Sequence, residues 1–211
     1  METDSGLAEA RYHHGDLRAA LIAAAIEGIA LHGIEKLSLR ALARELGVSP
    51  AAPYRHFESK NALLGAIALQ GVNELREVLE AAHGEGSAYK SLLAAGVGYV
   101  EFALAHPIRF QLIFGNVVGE FSQYEGLREA ANEAYSVLLD LLAEDAQRMN
   151  RPVNELGAMI WTAYHGLAGL LISSAAHPLT GELMAREEAL AWLRDSPRSA
   201  LAVMLRGVLS G

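Results

Sequence analysis

Apolar residues recur every three or four positions through almost the whole of this 211-residue chain, which is the spacing of helices that bury one face. Leu39, Leu42, Ala43 and Leu46 show the pattern clearly, at positions i, i+3, i+4 and i+7. No run of alternating β-branched residues indicates a strand. The pattern therefore predicts an all-α protein.

Ser, Pro and Gly residues divide this pattern into separate helices. Ser38 is a good N-cap for one helix that ends at Gly47, and Ser49-Pro50 opens a short helix that runs through His56. The predicted helices lie at about residues 16–31, 38–46, 50–56, 59–82, 87–105, 107–114, 121–149, 152–176, 182–194 and 197–209. The helix at 59–82 connects a small N-terminal part of the chain to a larger C-terminal part.

Composition indicates a globular protein of the cytoplasm. Hydrophobic residues make up 52% of the chain, and the absence of Cys excludes a disulfide framework and a thiolate metal site. Residues 1–10 lack the basic and apolar regions of a secretory signal. The uncharged stretch at 156–181 is long enough to span a membrane, but Ser, Thr, His and Pro interrupt it and no Lys/Arg cluster flanks it. We interpret it as a core or dimer helix and expect no membrane.

The formal net charge of −8 is distributed unevenly. Residues 10–60 contain seven Lys and Arg against five Asp and Glu, whereas residues 61–211 contain ten against seventeen. This asymmetry suits a small module that faces nucleic acid, attached to an acidic body that faces away from phosphate.

Residues 38–57 describe two short helices joined by a tight turn. The small Ala43 allows the second helix to cross closely, and Gly47 permits the backbone to reverse. The apolar side would form a core from Leu39, Leu42, Leu46, Val48 and Phe57. We therefore predict a helix-turn-helix.

The other side of this segment is polar or small, which suits a DNA major groove. Its residues are Ser49, Ala51, Ala52, Tyr54, Arg55 and His56. Arg55 has the donors to read a guanine edge, because a guanidinium can donate one hydrogen bond to O6 and another to N7 of the same base. Phosphate contacts are expected from Ser38, Arg40, Tyr54, His56 and Lys60. The alternative for the arginines is an ordinary solvated surface charge.

Several motifs follow one another over residues 12–70. They are His32-Gly33, Ser38-Leu39-Arg40-Ala41-Leu42-Ala43, Leu46-Gly47-Val48-Ser49, Tyr54-Arg55-His56-Phe57, and Lys60 with Leu63-Leu64. Their order resembles the DNA-binding domain of TetR-family repressors. The resemblance implies a DNA-binding domain at 12–60, with phosphate contacts from Arg40, Tyr54, His56 and Lys60 and base contacts from Ala51, Ala52 and Arg55.

The sequence departs from the wider family at Pro53, where a buried Leu, Ile or Val is more usual. A proline has no amide hydrogen to donate to the carbonyl of Ser49, so we expect an irregular first turn in the short helix.

The C-terminal part contains a set of aromatic and polarizable side chains, which either line a ligand cavity or fill a core. They are Phe110, Phe114, Met159, Trp161, Tyr164 and His165. His165 is polar in an apolar run, so it either has one internal partner or contacts a ligand. The opening Tyr12–Arg18, the pair His106-Pro107 with the two Phe, and Trp161 with His165-Gly166 are similar to a TetR branch named for a Trp-His-Gly signature. This similarity implies that residues 83–211 bind a ligand and dimerise.

Catalytic chemistry has no support in the sequence. The histidines lack metal-ligand spacing, and no nucleophile elbow, phosphate-binding loop or dinucleotide fingerprint occurs. We expect no catalytic residue, no metal and no cofactor.

These observations lead to the hypothesis of a homodimeric, ligand-responsive repressor on a pseudo-palindromic operator. A small-molecule effector beneath the 59–82 helix would shift that helix and the spacing of the two reading heads. As in the family, a four-helix bundle of the 156–176 and 197–209 helices would join the subunits through Ala200, Leu201, Met204, Leu205 and Leu209. The alternatives are a small-molecule-binding or enzymatic helical protein without DNA affinity, and an activator with the same residues.

Overall fold

The computed structural model describes residues 17–84, 87–115, 124, 126–176 and 184–210, and no residue in these ranges lies in a β-strand. The helices are α1 (Leu17–His32), α2 (Leu39–Glu45), α3 (Lys60–Ala81), α4 (Ala88–Ala105), α5 (Pro107–Phe114), α6 (Leu127–Met149), α7 (Val153–Ala176), α8 (Met184–Asp195) and α9 (Pro197–Leu209). Two 3₁₀ turns are present, at Ile34–Lys36 and Pro53–Arg55. The prediction of an all-α fold is confirmed.

Two of the predicted helices differ from the structure, one in where it begins and one in being absent. Tyr124 and Gly126 are not helical, and α6 begins only at Leu127. The α-helix predicted at 50–56 is absent and is discussed with the site below. Residues 12–16, 121–123 and 182–183, which also carried predictions, lie outside the described residues.

The chain divides between Leu63 and Leu64 into two compact units. In the first unit, α1 packs against α2 and against the two 3₁₀ turns. Its core includes Leu21 and Ala25 of α1 and Leu42 and Ala43 of α2, each at most 2% exposed. This small buried core fixes the position of the short segments that follow α2.

The second unit is organised around α4, which packs against α5, α6, α7 and α9. At the crossing of α4 and α7 the Tyr164 ring packs on Gly96, where an added Cβ would lie 2.5 Å from Cε1 of Tyr164. The Tyr164 hydroxyl donates a hydrogen bond to the Leu92 carbonyl at the same crossing. Glycine at position 96 therefore leaves the space that the Tyr164 ring occupies against α4.

Among the described helices, α7 alone is long and apolar enough to cross a membrane by itself. Helices α4 and α5 would be long and apolar enough only if the two were counted as one span, although they are bent by 107°. The α7 residues Leu156, Ile160 and Leu171 are at most 1% exposed in this chain, so α7 serves here as a core helix. This agrees with the interpretation made from the sequence.

Helix α9 also contributes to this core. Ala200, Leu201 and Leu205 are at most 3% exposed, so these three of the predicted subunit contacts are core residues of their own chain. The prediction is wrong for them because the face of α9 that carries them packs on α4 and α7. On the rest of α9, Val203 is 59% and Met204 37% exposed.

Candidate functional site

The first half of the candidate nucleic-acid interface is set by a helix cap and a sharp turn. The Ser38 hydroxyl accepts a hydrogen bond from the Ala41 amide at 3.1 Å, which fixes the start of α2. Gly47 then adopts a φ of 66°, a conformation that side chains with a Cβ rarely adopt. The Val48 amide donates to the Ala43 carbonyl at 2.9 Å, so the chain reverses directly after α2.

The second half is irregular where an α-helix was predicted. The Ala52 amide donates to the Ser49 carbonyl at 2.9 Å, and the Pro53 carbonyl accepts from both His56 and Phe57 at 3.0 and 2.9 Å. An α-helix would need an amide hydrogen at position 53 to reach the carbonyl of Ser49, and proline has none. The prediction of a helix at 50–56 is therefore wrong, and the expected irregularity extends over the whole segment.

The segment is nevertheless anchored, and its polar side chains face solvent. Pro53 and Phe57 are buried. Tyr54 is 47% exposed, and Arg55 and His56 are also exposed. The remaining predicted residues of this segment are Ser49 and Ala51, which are exposed, and Ala52, which is half-buried. The anchors thus hold a short polar ridge, defined as Ser49–His56, at the surface of the first unit.

Three further predicted residues flank this ridge in the sequence. Arg40 is exposed on α2 and forms no ion pair with a described residue. The Lys60 ammonium donates to the Glu35 carbonyl at 3.4 Å, which leaves it two further donors. The Ser38 hydroxyl accepts in its cap and still has its own hydrogen to donate. Each side chain therefore keeps hydrogen-bonding capacity for a phosphate.

One cation near the ridge was not among the predicted site residues. The Arg18 guanidinium carbon lies 5.2 Å from the centre of the Phe57 ring, a cation–π contact that links α1 to the anchored end of the segment. Its signal in the sequence was its position at the end of the Tyr12–Arg18 motif.

A second candidate site is an aromatic cluster in the second unit, made of Tyr99, Phe110, Phe114, Trp161 and His165. Ring centres of the other four lie 4.9 to 6.5 Å from that of His165, and the Phe110 ring stacks on it at 5.2 Å. Phe110 and Phe114 of α5, like Trp161 and His165 of α7, are four residues apart and so share a helix face. The structure thus brings together four of the six predicted ligand-binding residues.

Tyr99 of α4 is a member of the cluster that sequence reasoning missed. Its hydroxyl lies 3.0 Å from Nδ1 of His165, and its ring is edge-on to Phe110 at 5.7 Å. The sequence signal for Tyr99 was its spacing: it follows Leu92 by seven residues and Ala95 by four, so it shares their helix face, and both of these residues are fully buried. His165 therefore has the internal partner that one of its two interpretations required.

Burial keeps the polar pair in this cluster uncharged. It raises the pKa of Tyr99 and lowers the pKa of His165, in each case because a low-dielectric surrounding disfavours the charged form. At neutral pH the two groups share a hydrogen bond between neutral partners. Such a cluster is suited to bind an apolar or aromatic molecule by stacking, with one polar point of contact.

The other two predicted ligand-binding residues are placed differently, and the Tyr164 ring centre lies 6.0 Å from that of Tyr99, at the edge of the cluster. Tyr164 is 1% exposed and its hydroxyl is bonded to the Leu92 carbonyl, so it packs as a core residue at the α4 and α7 crossing. Met159 is 42% exposed and lies two residues before Trp161. Two residues correspond to a rotation of about 200°, so the two side chains are on opposite sides of α7. A ligand contact by either residue stays a prediction.

The opposite side of α5 carries a polar cluster. Arg109 Nη1 lies 3.0 Å from Oε2 of Glu74 on α3 and 3.2 Å from Nδ1 of His106. Because a guanidinium only donates, Nδ1 of His106 is the acceptor in this contact. The His106-Pro107 motif thus positions the arginine that joins α5 to α3. No group of three or more His, Asp or Glu within the described ranges is arranged to hold a metal ion.

Both candidate sites fall within regions that match known families. Residues 21–67 match the bacterial regulatory proteins of the tetR family, and residues 92–194 match the tetracyclin repressor-like C-terminal domain. The chain belongs to the TetR family. The N-terminal match of this TetR-family chain contains the polar ridge with Arg40 and Lys60, and the C-terminal match contains the whole aromatic cluster.

Solved structures share the fold of this chain. A protein of unknown function from Rhodococcus sp. RHA1 is 31% identical, with 94% of this chain and 98% of that chain covered and a TM-score of 0.71. A tetR-family bacterial regulatory protein from Rhodococcus RHA1 is 19% identical and shares the fold, with coverages of 92% and 95% and a TM-score of 0.65.

A curated relative of this TetR-family chain is an HTH-type transcriptional regulator of Mycobacterium tuberculosis strain H37Rv, where HTH denotes helix-turn-helix. The two are 30% identical over 90 residues, which is 41% of this chain and 38% of that regulator. The match therefore spans well under half of the regulator's length.

Proposed function

We propose that this TetR-family protein is a cytoplasmic, ligand-responsive transcriptional repressor that binds a pseudo-palindromic operator as a homodimer. The observation that carries the proposal is the polar ridge, whose tyrosine, arginine and histidine stand exposed while Pro53 and Phe57 anchor it from below. An exposed ridge of this chemistry is suited to a major groove.

The roles within the DNA complex follow from the hydrogen-bonding capacity of each side chain. Arg55 reads a guanine, and the small Ala51 and Ala52 allow the ridge to approach the bases. Arg40, Tyr54, His56 and Lys60, with Ser38 and Ser49, bind phosphate oxygens. Arg40 and Lys60 supply the charge, so their removal should weaken binding at every DNA sequence.

A gel-shift titration with DNA from upstream of the protein's own gene tests these roles. We expect Arg40→Ala with Lys60→Ala to lower affinity and to reduce the slope of log affinity against log salt by about 2, one for each lost phosphate contact. The control is Lys90→Ala with Arg198→Ala, which removes the same charge from exposed positions of the second unit. Equal affinity and slope in the two double variants would contradict the phosphate contacts assigned to Arg40 and Lys60. If the unmutated protein does not bind this DNA at all, a helical binding protein without DNA affinity is favoured.

The effector site in this proposal is the aromatic cluster, which favours a molecule with an aromatic or aliphatic body. The ligand acts by binding the DNA-incompetent state more tightly than the competent one. The chain has two Trp, so Trp192→Phe leaves Trp161 as the single fluorescent reporter in the cluster. Titration with 1-naphthol should quench it, and Phe114→Ala should weaken that binding at least about tenfold. Unchanged affinity in the Phe114 variant would exclude the cluster.

The subunit contact in this proposal uses the faces of α7 and α9 that the chain leaves open. Leu170 is 47% and Val203 59% exposed, and α7 and α9 pack side by side. Two copies in a two-fold arrangement would cover both residues in a four-helix bundle. Sedimentation should show a dimer that Leu170→Arg with Val203→Glu converts to a monomer. Leu31→Arg, at an even more exposed leucine of the first unit, should leave the dimer intact.

Within the family, Trp161 followed by His165-Gly166 favours the branch with the Trp-His-Gly signature. We also propose that the protein has no catalytic activity of its own, since the cluster presents neutral groups and no activated nucleophile.

A further inference from the structure

A cavity lies in the C-terminal unit, lined by residues other than those of the aromatic cluster. Its volume is about 630 Å³, and it opens where the first turn of α4, the end of α6 and the end of α9 meet. Pockets of this size hold metabolite-sized molecules. None of the five cluster residues lines it.

One wall of this cavity is a buried carboxylate with an unused oxygen. The Asp145 side chain is 4% exposed, and its Oδ1 pairs with Arg148 one turn along α6. Its Oδ2 is buried and has no hydrogen-bond partner among the described residues. A buried, half-satisfied carboxylate near a helix C-terminus is unfavourable for folding alone. The oxygen is therefore available for a donor that the chain does not supply.

The facing walls have the opposite character. Ala88 and Tyr89 line the cavity from the first turn of α4, where amide hydrogens have no partner within the helix, and the Ser87 side chain makes no capping bond to them. Arg206 of α9 is exposed and pairs with no acid of the described ranges. Free amides at a helix N-terminus beside a guanidinium attract a carboxylate or another anion.

We propose that this cavity is a binding site for a small zwitterion that carries an ammonium and a carboxylate. The ammonium pairs with Asp145, and the carboxylate binds the first turn of α4 and Arg206. The charged lining is Glu144 and Asp145 against Arg148 and Arg206, which sums to zero and so favours neither a net cation nor a net anion. Arg148, whose side chain is 67% exposed, moves aside to open Oδ2 to the ligand. This site is separate from the proposed effector cluster.

Matched probes test the proposal on the full chain. We would titrate ω-amino carboxylates from glycine to 8-aminooctanoate by amide NMR, each beside the alkylamine and the alkanoate of the same length. At least one amino carboxylate should bind tenfold or more tightly than both single-charge analogues, with shifts at Ala88 and Tyr89. If every amino carboxylate binds no better than its analogues, or none binds, the proposal is overturned.

Variants separate a binding role of Asp145 from a structural one. Asp145→Asn and Arg206→Gln should each weaken the best probe at least tenfold, whereas Asp140→Asn, an exposed carboxylate on the same helix that does not line the cavity, should not. Arg206 is exposed, so its variant folds even if the Asp145 variant does not. Unchanged probe affinity in the Arg206 variant overturns the proposal. The proposal is also overturned if Asp145→Asn raises the unfolding temperature and leaves the probe affinity unchanged.

Discussion

The polar ridge and the aromatic cluster place functional side chains in opposite physical settings. At the ridge, Tyr54, Arg55 and His56 are exposed, and their placement depends on a glycine turn and two buried anchors beneath them. In the cluster, Tyr99 and Phe110 are at most 6% exposed and are held by contacts among the functional rings themselves. The ridge keeps binding separate from packing, whereas in the cluster the same side chains do both.

The difference determines what a substitution can test. Removing an exposed side chain from the ridge takes away a contact to a partner and leaves the fold unchanged, since surface substitutions usually alter stability by about 0.5 kcal/mol or less. Removing a ring from the cluster alters stability and binding together. Each cluster variant therefore needs a stability measurement beside its binding measurement.

The largest expected effect is at the α4 and α7 crossing that supports the cluster. Gly96→Val places its Cβ against Tyr164 and should lower the free energy of unfolding by about 3 kcal/mol, measured by urea denaturation. Gly166→Ala on α7 is the control, because an added Cβ there meets no atom within 4 Å and alanine favours a helix by about 0.5 to 1 kcal/mol. Equal stability of the two variants would show that the crossing is not closely packed.

How far the sequence predicts these two regions follows from the same contrast. The exposure of Tyr54, Arg55 and His56 could be predicted because these polar residues interrupt a regular apolar pattern, while the contacts of each residue with DNA came from the family resemblance and stay predictions. The cluster was predicted only as a set of candidates, because a pocket and a core use the same residue types. Tyr99 was missed since its partner His165 is 66 positions away, and periodicity carries no information on contacts that distant.

The fold was predicted closely for a similar reason. Helix starts such as Pro107 and Pro197 are encoded locally and agree with the structure. The face that α9 buries was not encoded locally: Ala200, Leu201 and Leu205 suit a subunit contact as well as a core, and only the packing on α4 and α7 decides between them. The helix predicted at 50–56 was wrong because the prediction rested on the start signal Ser49-Pro50, and the effect of Pro53 was foreseen only for the first turn.

A smaller effect is expected at the polar pair within the cluster. Tyr99→Phe removes the hydroxyl that bonds His165 and should cost about 1 to 2 kcal/mol of unfolding free energy, because Nδ1 of His165 loses its partner inside the cluster. Tyr135→Phe is the matched control, since that ring contacts Trp161 while its hydroxyl makes no hydrogen bond to a described residue. A Tyr99 variant as stable as the control would mean that water replaces the hydroxyl without cost.

The same pair predicts a pH dependence. Burial lowers the pKa of His165, so the unfolded chain takes up a proton below about pH 6.5 while the folded chain does not. The stability contribution of this group is therefore complete above about pH 6.5 and is lost as the pH falls towards the folded pKa. Between pH 7.5 and 5, His165→Gln should lose less stability than the wild-type protein. Parallel losses in the two proteins would assign the dependence to other histidines.

The smallest change in stability is expected at the ridge, from Pro53→Leu. Leucine restores the amide that can reach the Ser49 carbonyl, a gain of about 1 kcal/mol, but it also raises the entropy of the unfolded chain by about 0.4 to 1 kcal/mol. These terms nearly cancel, so the backbone should become α-helical at 50–56 with little change in unfolding free energy. Carbon chemical shifts measure the helicity of residues 50–56, and urea denaturation measures the unfolding free energy.

Pro50→Leu is the control for this change, because an amide at the first helical position has no intrahelical acceptor in any case. It should leave the 3₁₀ turn in place. If Pro53→Leu keeps the 3₁₀ turn as well, the irregular backbone is set by the packing of Phe57 and of a buried side chain at position 53. The ridge then depends on its core as much as the aromatic cluster does. If the α-helix forms without a change in stability, the geometry of the ridge is free to vary while the fold stays constant, which is the property that a surface reading DNA sequence requires.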